Sequence, residues 1–141
     1  MRIVILGAGN VGYNLARVLS QRHDVLVIER DPKRCAYVEE NLDVDTICGN
    51  GVSVDVLQSA VEMGAEMLIA LTNVDEMNIV ACIAIKKVDE GVITIARVRN
   101  PDYVDAPVSS RKFVGLDIMI SPEMLAAHKI LQIISTPAAI D

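Results

Sequence analysis

The pattern of apolar and polar residues predicts strands and helices in alternation along the whole chain. Short apolar runs bounded by glycine or charged residues are typical of strands buried on both faces of a parallel sheet, and apolar residues between them recur at helical spacing. Six strands separated by helices predict an α/β fold with a doubly wound, mostly parallel six-stranded sheet. The predicted strands are 2–6, 24–29, 46–48, 67–72, 92–98 and 117–120, and the predicted helices are 11–21, one from 31, 53–60, 75–87, a short one within 102–114, and 121–134.

Composition and charge narrow the class of protein. The 141 residues are 52% hydrophobic but only 3% aromatic, which predicts one domain with a core of aliphatic side chains. A formal net charge of −6 argues against binding to nucleic acid, because domains of that kind usually carry a basic surface. The apolar runs are far shorter than the roughly 18–20 residues that cross a bilayer, so direct membrane insertion is not expected.

The three cysteines are Cys35, Cys48 and Cys82. Their spacing fits neither a disulfide framework nor a zinc site. We therefore expect three small buried side chains in a protein of a reducing cytoplasm.

A glycine-rich turn after the first predicted strand is the strongest functional signal. A G-x-G-x-x-G motif lies between that strand and a helix and consists of Gly7, Ala8, Gly9, Asn10, Val11 and Gly12. In the Rossmann fingerprint the first glycine permits the tight turn, the second lets the backbone approach a phosphate, and the third lets helix and strand pack closely. The helix N-terminus offers further N–H groups to an anion. The motif therefore predicts a phosphate-binding turn in a Rossmann-like domain.

An acidic residue at the end of the second predicted strand points to the same ligand class. Glu29 stands 22 positions after Gly7, near the roughly 20 at which this fold places an acid that accepts hydrogen bonds from the adenosine ribose. Its negative charge would repel a ribose 2′-phosphate, which favours NAD over NADP. Arg30 keeps NADP open, because an arginine beside the acid can accommodate that phosphate.

Polar residues after the third and fourth strands are further candidates, because ligands of doubly wound sheets lie across the carboxyl ends of the strands. Asn50 and Gly51 follow the third strand, where Asn50 would meet the adenine edge or simply form the turn. Thr72 and Asn73 follow the fourth strand, where a nicotinamide ribose or a phosphate would pass.

Charged residues complete this predicted edge. Glu76 belongs to the same candidate segment as Asn73, whereas the neighbouring Asp75 is equally consistent with a cap on the following helix. Arg97 and Arg99 share one face of the fifth strand at its carboxyl end. They either pair with nearby acids or reach a phosphate or a neighbouring subunit, and we expect a functional role for at least one.

The sequence predicts binding without catalysis. A nicotinamide dehydrogenase needs a second domain or insertion for its substrate and a proton donor near the nicotinamide ring, and 141 residues leave no room for that domain. No catalytic or metal-ligating arrangement rises above chance. Two alternatives stay open: the cofactor-binding domain of a truncated NAD-dependent oxidoreductase, and a stand-alone sensor of the nicotinamide redox state.

The last predicted helix carries apolar residues around more than one face. It begins at Ser121 and Pro122, which suit an N-cap and the first helical position. A helix that is apolar this far round needs more cover than one sheet provides. A partner subunit or a neighbouring domain is the favoured cover, and packing on its own sheet with some exposed apolar surface is the alternative.

Six segments together resemble the N-terminal nucleotide-binding domain of Trk potassium-uptake regulators, also called the KTN or RCK domain. The segments are ILGAGNVG at 5–12, VLVIERD at 25–31, ICGNG at 47–51, LTNVDEMNIVAC at 71–82, IARVRNPDYV at 95–104 and ISPEML at 120–125. The glycine motif is common to all Rossmann domains. The T-x-x-D-E-x-N, A-R-x-R-x-P-x-Y and S-P-E segments are far more specific to this family.

The resemblance implies a regulatory subunit in the cytoplasm, held at the inner face of the membrane by a membrane-embedded potassium transporter. It implies that binding of NAD(H), or alternatively of ATP, ADP or AMP, gates ion flow. Gly7, Gly9 and Gly12 would then take the phosphates, Glu29 the ribose, and Arg97 a phosphate or a neighbouring subunit. Asn50 stands where the family often has aspartate, which weakens the adenine assignment.

The resemblance also implies a division of the chain. Residues 1–120 would be the nucleotide-binding domain, and residues 121–141 the crossover helix and tail through which such domains form homodimers and larger rings. The smaller C-terminal domain of the family would be absent. In ATP-binding relatives the acid that matches Glu123 can lie near a phosphate-bound cation.

Overall fold

The structure is a computed structural model that describes residues 1–104 and 115–136. Strands and helices alternate as the sequence predicts, with boundaries shifted by a few residues. The elements are β1 (Arg2–Leu6), α1 (Asn10–Leu19), β2 (Asp24–Glu29), α2 (Pro32–Asn41), β3 (Asp45–Cys48), α3 (Val54–Glu62), β4 (Met67–Ala70), α4 (Asp75–Val88), β5 (Ile93–Arg97), α5 (Pro101–Val104), β6 (Ile118–Ile120) and α6 (Pro122–Ser135). Of the short helix predicted within 102–114, α5 forms the described part, and the remainder lies outside the described residues, as does the tail at 137–141.

The six strands form one sheet in the order β3-β2-β1-β4-β5-β6. All five pairings are parallel, which confirms the predicted doubly wound α/β fold. Since the strands run in one direction, their carboxyl ends meet at one edge of the sheet. The chain reverses its winding between β1 and β4, which makes this the switch point where doubly wound folds bind ligands.

The strands are buried because helices cover both faces of the sheet. Residues of β1 alternate between two hydrophobic clusters: Ile3 and Ile5 belong to one, and Val4 and Leu6 to the other. The first cluster includes Ala16 of α1 and Val38 of α2, and the second includes Leu57 of α3 and Ile85 of α4. This two-sided burial explains why the central strands read as continuous aliphatic runs.

Two of the predicted helix caps are confirmed. The Asp31 side chain accepts a hydrogen bond of 3.0 Å from the Lys33 N–H at the start of α2, and Pro32 is the first helical residue. The Ser121 side chain accepts a hydrogen bond of 3.3 Å from the Met124 N–H at the start of α6.

The alternative in which Asp75 caps α4 is wrong. Val74 is the N-cap residue of that helix, and it makes no side-chain capping bond. Asp75 is the first helical residue, and its carboxylate accepts hydrogen bonds from the N–H groups of Arg99 at 3.0 Å and Asn100 at 2.8 Å. The carboxylate therefore holds the loop after β5 against the start of α4.

The expectation of three buried cysteines is wrong for Cys48. All three cysteines are free thiols, and Cys35 and Cys82 are buried, but Cys48 is exposed. The reason is that β3 is an edge strand and Cys48 is its last residue.

None of the residues of helix α6 is buried, whereas each of the helices α1 to α4 buries at least two residues. Its exposed side chains include Leu125 at 63% and Ile134 at 69% of their full accessible areas. This apolar exposure favours the prediction of an external cover over packing on the chain's own sheet. No helix within residues 1–104 and 115–136 is long and apolar enough to span a bilayer.

Candidate nucleotide-binding site

The three glycines of the motif have three different environments. Gly7 has φ of +99°, a conformation that side chains rarely adopt, and its N–H donates to the Ile28 carbonyl at 2.8 Å. A Cβ on Gly12 would lie 1.8 Å from the Gly7 carbonyl oxygen, so only glycine lets α1 approach the turn this closely. A Cβ on Gly9 would meet nothing within 4 Å. Gly9 thus borders open space, as the fingerprint requires of the glycine beside a phosphate.

The N-terminus of α1 points its backbone donors at the same space. The N–H of Tyr13 makes a bond of 2.8 Å to the Gly9 carbonyl at the start of the helix. The N–H groups of Asn10, Val11 and Gly12 precede it and have no carbonyl partner within the helix. Together with the helix dipole, they form a favourable environment for an anion.

Glu29 is the last residue of β2 at this edge and is only 7% exposed. Its Oε1 accepts a hydrogen bond of 2.7 Å from the Ala8 N–H of the glycine turn. Its Oε2 accepts bonds of 2.8 Å from the N–H groups of both Arg30 and Asp31. A carboxylate oxygen accepts about two hydrogen bonds, so Oε1 retains capacity for one more donor, such as a hydroxyl.

Two adjoining cavities open along the carboxyl ends of the strands. The first, of about 130 Å³, is lined by the glycine turn, Glu29, the β3–α3 turn and the segment after β4. The second, of about 790 Å³, extends from the glycine turn along α1 to Arg97. Four residues line both cavities, namely Gly9, Arg34, Leu71 and Asn73. The two cavities therefore form one elongated cleft, whose size is within the range of sites for small-molecule cofactors.

Guanidinium groups surround this cleft although the chain is acidic overall. Arg30 and Arg34 line the first cavity, and Arg34 and Arg97 line the second. The Arg97 side chain is 12% exposed, and its Nη2 lies 3.3 Å from the Glu123 Oε1. Its Nε is buried without a hydrogen-bond partner in the described part of the chain. Because Arg97 lines the second cavity, its guanidinium charge suits an anionic ligand there.

Asn78 fixes the ends of β4 and β5 beside the cleft. It is fully buried, and its Oδ1 accepts bonds from the Thr72 N–H at 2.9 Å and the Thr72 hydroxyl at 2.6 Å. Its Nδ2 donates to the carbonyls of Thr72 at 3.1 Å and Arg97 at 2.8 Å. The amide is fully satisfied and holds two candidate residues in place.

Three of the candidate residues line neither cavity: Gly12, which packs against the Gly7 carbonyl, and Asn50 and Glu76. The Asn50 Oδ1 accepts a bond of 3.1 Å from the Val52 N–H, so the side chain forms the turn after β3. Glu76 is exposed on α4, and its hydrogen bond to Tyr103 is the main cause of the raised pKa of that phenol. The other candidates line the cleft: Gly7, Ala8, Gly9, Asn10, Val11, Glu29, Arg30, Gly51, Thr72, Asn73 and Arg97.

Several cleft residues are absent from the sequence-based prediction. Arg34 lines both cavities, and its Nη1 lies 4.0 Å from the Glu29 Oε1. Arg34 belongs to the first turn of α2, which begins at the edge of the sheet where β2 ends. The order of strands and helices along the chain was therefore enough to predict Arg34 as a cleft residue. Tyr13 and Tyr37 line the second cavity with ring centroids 5.2 Å apart, and nothing in the sequence signals this pairing of α1 with α2.

Comparison with known families agrees with this geometry. The family model of the TrkA-N domain matches residues 3–122, which is most of the chain. The chain belongs to the TrkA-N domain family. The resemblance seen in the sequence is therefore confirmed, and the TrkA-N match covers the sheet, except the first residue of β1, and the start of α6.

Curated relatives of this TrkA-N chain carry the Trk name. The chain is 46% identical over 147 residues to the Trk system potassium uptake protein trkA homolog 1 of Methanosarcina mazei, covering 100% of this chain and 36% of the relative. It is 40% identical over 142 residues to the TrkA homolog of Methanothermobacter thermautotrophicus, covering 100% of this chain and 63% of the relative. The chain thus spans from about a third to under two thirds of the length of these relatives.

Solved structures share the fold of this TrkA-N chain. The TrkA-N domain of the inner membrane protein ybaL from Escherichia coli superimposes with a TM-score of 0.77 at 23% identity, covering 94% of this chain and 95% of that one. The GsuK channel bound to NAD gives a TM-score of 0.74 at 22% identity, covering 94% of this chain and 23% of that one.

Proposed function

We propose that this chain is the nucleotide-sensing domain of a regulator of potassium uptake. The observation that carries the proposal is the cleft itself, in which a glycine turn with open space at Gly9 faces Glu29, Arg34 and Arg97. Membership of the TrkA-N family and the names of its curated relatives supply the physiological context.

The residues present suit an adenosine nucleotide with a di- or triphosphate. The free N–H groups at the start of α1 and the guanidinium of Arg97 would hold phosphate oxygens. The remaining acceptor capacity of the Glu29 Oε1 would take a ribose hydroxyl. Arg34 lies between these two positions, because it lines both cavities.

We propose NAD(H) as the ligand, with ATP, ADP or AMP as the alternative. The cleft is elongated, which favours a dinucleotide, and a structural neighbour at 22% identity is named as bound to NAD. Another GsuK structure, also 22% identical, is named as bound to ADP, so the adenine nucleotides need a direct comparison.

Regulation would pass from the cleft to α6 and from there to partners. Arg97 lines the cleft and also pairs with Glu123 in the first turn of α6. A ligand phosphate would compete with Glu123 for this guanidinium, which couples occupancy of the cleft to the start of α6. We propose that the exposed apolar side chains of α6 pack on a second copy of the chain, as a homodimer or part of a ring beneath a membrane-embedded potassium transporter.

This role is regulatory and not enzymatic. The curated relatives are named as potassium uptake proteins. We expect the purified chain to bind NADH without oxidising it, and an absorbance assay for NADH loss with a panel of carbonyl substrates tests this. Substrate-dependent turnover would favour the oxidoreductase alternative.

Titration calorimetry with NADH, NAD, ATP, ADP, AMP and adenosine tests the proposed site. We expect saturable binding of one or more of the phosphorylated ligands, and Arg97→Ala should weaken binding of the di- and triphosphates more than that of adenosine. Arg22→Ala is the matched control, because it removes an equal charge from an exposed position at the opposite edge of the sheet. Absence of binding by every nucleotide would contradict the proposal, and equal losses for all ligands would place Arg97 away from the phosphates.

A further inference from the structure

We propose that Cys35 and Cys48 form a reversible disulfide on exposure to peroxide, and that this disulfide weakens nucleotide binding at the cleft. The second half of this inference rests on the proposed function, whereas the first half depends only on the positions of the two thiols.

The backbone of Glu29 brings the two thiols together. Cys48 on β3 is the register partner of Glu29 on β2, and neighbouring strands lie about 4.8 Å apart. The Cys35 thiol on α2 donates a hydrogen bond of 3.1 Å to the Glu29 carbonyl oxygen. The same oxygen accepts a bond of 2.9 Å from the N–H of Gly49, the residue after Cys48. Both cysteines therefore flank one carbonyl group.

The side chains also lie on the same face of the sheet. Val27 on β2 packs in the hydrophobic cluster that contains Val38 of α2, and Glu29 follows Val27 by two residues, so it faces α2 as well. Cys48 is paired with Glu29 and shares this face, where Cys35 lies in α2. Burial and the adjacent Cys48 thiol raise the pKa of Cys35 to about 12.

Exposure determines the order of the chemistry. Cys48 is exposed and reacts first: its thiolate sulfur attacks one peroxide oxygen, the O–O bond breaks, and the products are a sulfenic acid and hydroxide, which becomes water. The Cys35 thiol, whose raised pKa makes this the slower step, then loses its proton as its sulfur attacks the sulfenic sulfur, and the hydroxyl leaves as water with that proton. In total, the two thiols lose two electrons and two protons, and one peroxide is reduced to two waters.

The disulfide would change the walls of the first cavity. Cys35 follows Arg34, and Cys48 precedes Gly49, and both neighbours line that cavity with Glu29. An S–S bond of about 2.05 Å draws the β3–α3 turn towards α2 and removes the hydrogen that Cys35 donates to Glu29. The walls of the cleft around Glu29, where the ribose would bind, would therefore no longer fit the nucleotide.

The first experiment measures the bond by mass spectrometry of the whole chain. Hydrogen peroxide should remove two hydrogens from the mass, peptide mapping should link Cys35 to Cys48, and dithiothreitol should reverse both changes. Cys48→Ser and Cys35→Ser should abolish the link, and Cys82→Ser should preserve it, because Cys82 is buried in the cluster on the other face. Oxidation of Cys48 to a sulfinic acid without a link, or links between separate chains, would overturn the proposal.

The second experiment measures affinity for NAD and ADP by calorimetry, after peroxide has been removed. The linked chain should bind about tenfold more weakly than the reduced chain, which corresponds to roughly one lost hydrogen bond. Peroxide-treated Cys35→Ser should bind as tightly as the chemically reduced wild-type chain, since the serine hydroxyl still donates to the Glu29 carbonyl. Unchanged affinity of the linked chain overturns the regulatory half. No binding even by the reduced chain overturns both that half and the proposed function, while the mass result still decides the disulfide.

Discussion

The backbone N–H of Ala8 donates a hydrogen bond of 2.7 Å to the Glu29 Oε1, which joins the glycine turn to the end of β2. Two further N–H groups bind the other carboxylate oxygen. The acid that the fingerprint assigns to the ribose therefore also holds the glycine turn in place. Loss of this carboxylate would affect stability and ligand binding together.

Glu29→Gln should lower the free energy of unfolding by about 1–3 kcal/mol, because the amide nitrogen turns a donor towards at least one buried N–H. Nucleotide affinity should fall about tenfold in the same variant. Urea denaturation and calorimetry measure the two effects, with the exposed Glu40→Gln on α2 as the control. A variant with wild-type stability would show that the three backbone bonds contribute nothing to folding.

Gly9→Ala and Gly12→Ala should separate binding from folding. The Cβ at Gly12 would lie 1.8 Å from a backbone oxygen, so that variant should lose about 3 kcal/mol or more of stability. The Cβ at Gly9 meets no protein atom, and the cost to the helix cap should stay below about 1 kcal/mol, while nucleotide binding is blocked. Thermal unfolding and calorimetry distinguish the two patterns, and tight binding by Gly9→Ala would place the phosphates elsewhere.

Asn78→Leu should destabilise the chain by about 3 kcal/mol. The leucine fills a similar volume but leaves the Thr72 N–H and the Arg97 carbonyl without their bonds in a buried environment. Asn41→Ala provides the comparison, because Asn41 is exposed at the end of α2 and, within the described residues, its side chain bonds only the Tyr37 carbonyl. If the two variants unfold at the same urea concentration, the bonds of Asn78 do not brace the sheet edge.

The stability of the chain should depend on Asp117 in acid. Partial burial raises the pKa of this carboxyl, but the hydrogen bonds from Lys86 and Thr94 outweigh burial and leave it below the ordinary value of 3.8. A lowered folded pKa stabilises the protein above the unfolded pKa, and this contribution disappears as the pH falls through the folded value.

Urea titrations at about pH 6 and about pH 3 measure this contribution. Asp117→Asn should be less stable than wild type at the higher pH, and the difference should shrink at the lower pH, with exposed Asp43→Asn as the control. A difference that is constant across this range would contradict the assignment. Because Asp117 is 41% exposed, added salt should also reduce the difference in stability between wild type and Asp117→Asn.

Helix α6 should mediate self-association. Leu125→Glu places a charge among its exposed apolar side chains and should shift the chain towards monomer in sedimentation velocity. Val54→Glu changes an apolar residue of similar exposure at the start of α3 and should leave the oligomeric state unchanged. Wild-type chain that is monomeric at high concentration would contradict the proposed homodimer.

Local patterns were sufficient to predict the elements and their order. Continuous aliphatic runs, which strands buried on both faces require, predicted β1, β2 and β4. The cap residues Asp31 and Ser121 marked the starts of α2 and α6. Asp75 shows where this approach fails. An acid at a helix start has the same local signature whether it caps its own helix or binds a distant loop, and only the position of β5 beside α4 decides between them.

The residues of the candidate site also divide into those that local sequence predicts and those that depend on the packing of distant segments. The glycine turn and Glu29 have a fixed spacing in the chain, so they were predictable as a unit. Arg34 and Tyr37 enter the cleft because α2 packs beside α1, which is a relation between distant segments. Asn50 has the right position in the chain, but its side chain is used by its own turn. The exposure of Cys48 follows from the edge position of β3, which no local pattern encodes.

The amide of Asn78 has consequences for how the cleft responds to a ligand. Three of its hydrogen bonds go to Thr72, just after β4, and the fourth goes to the Arg97 carbonyl of β5. The amide therefore fixes the ends of these two strands, and this flank should contribute little ordering entropy to ligand binding. On the opposite flank, β2 and β3 meet at the Glu29 carbonyl, which two donors share. The cleft therefore has one wall that a buried amide braces, and the proposed disulfide between Cys35 and Cys48 would alter only the other wall.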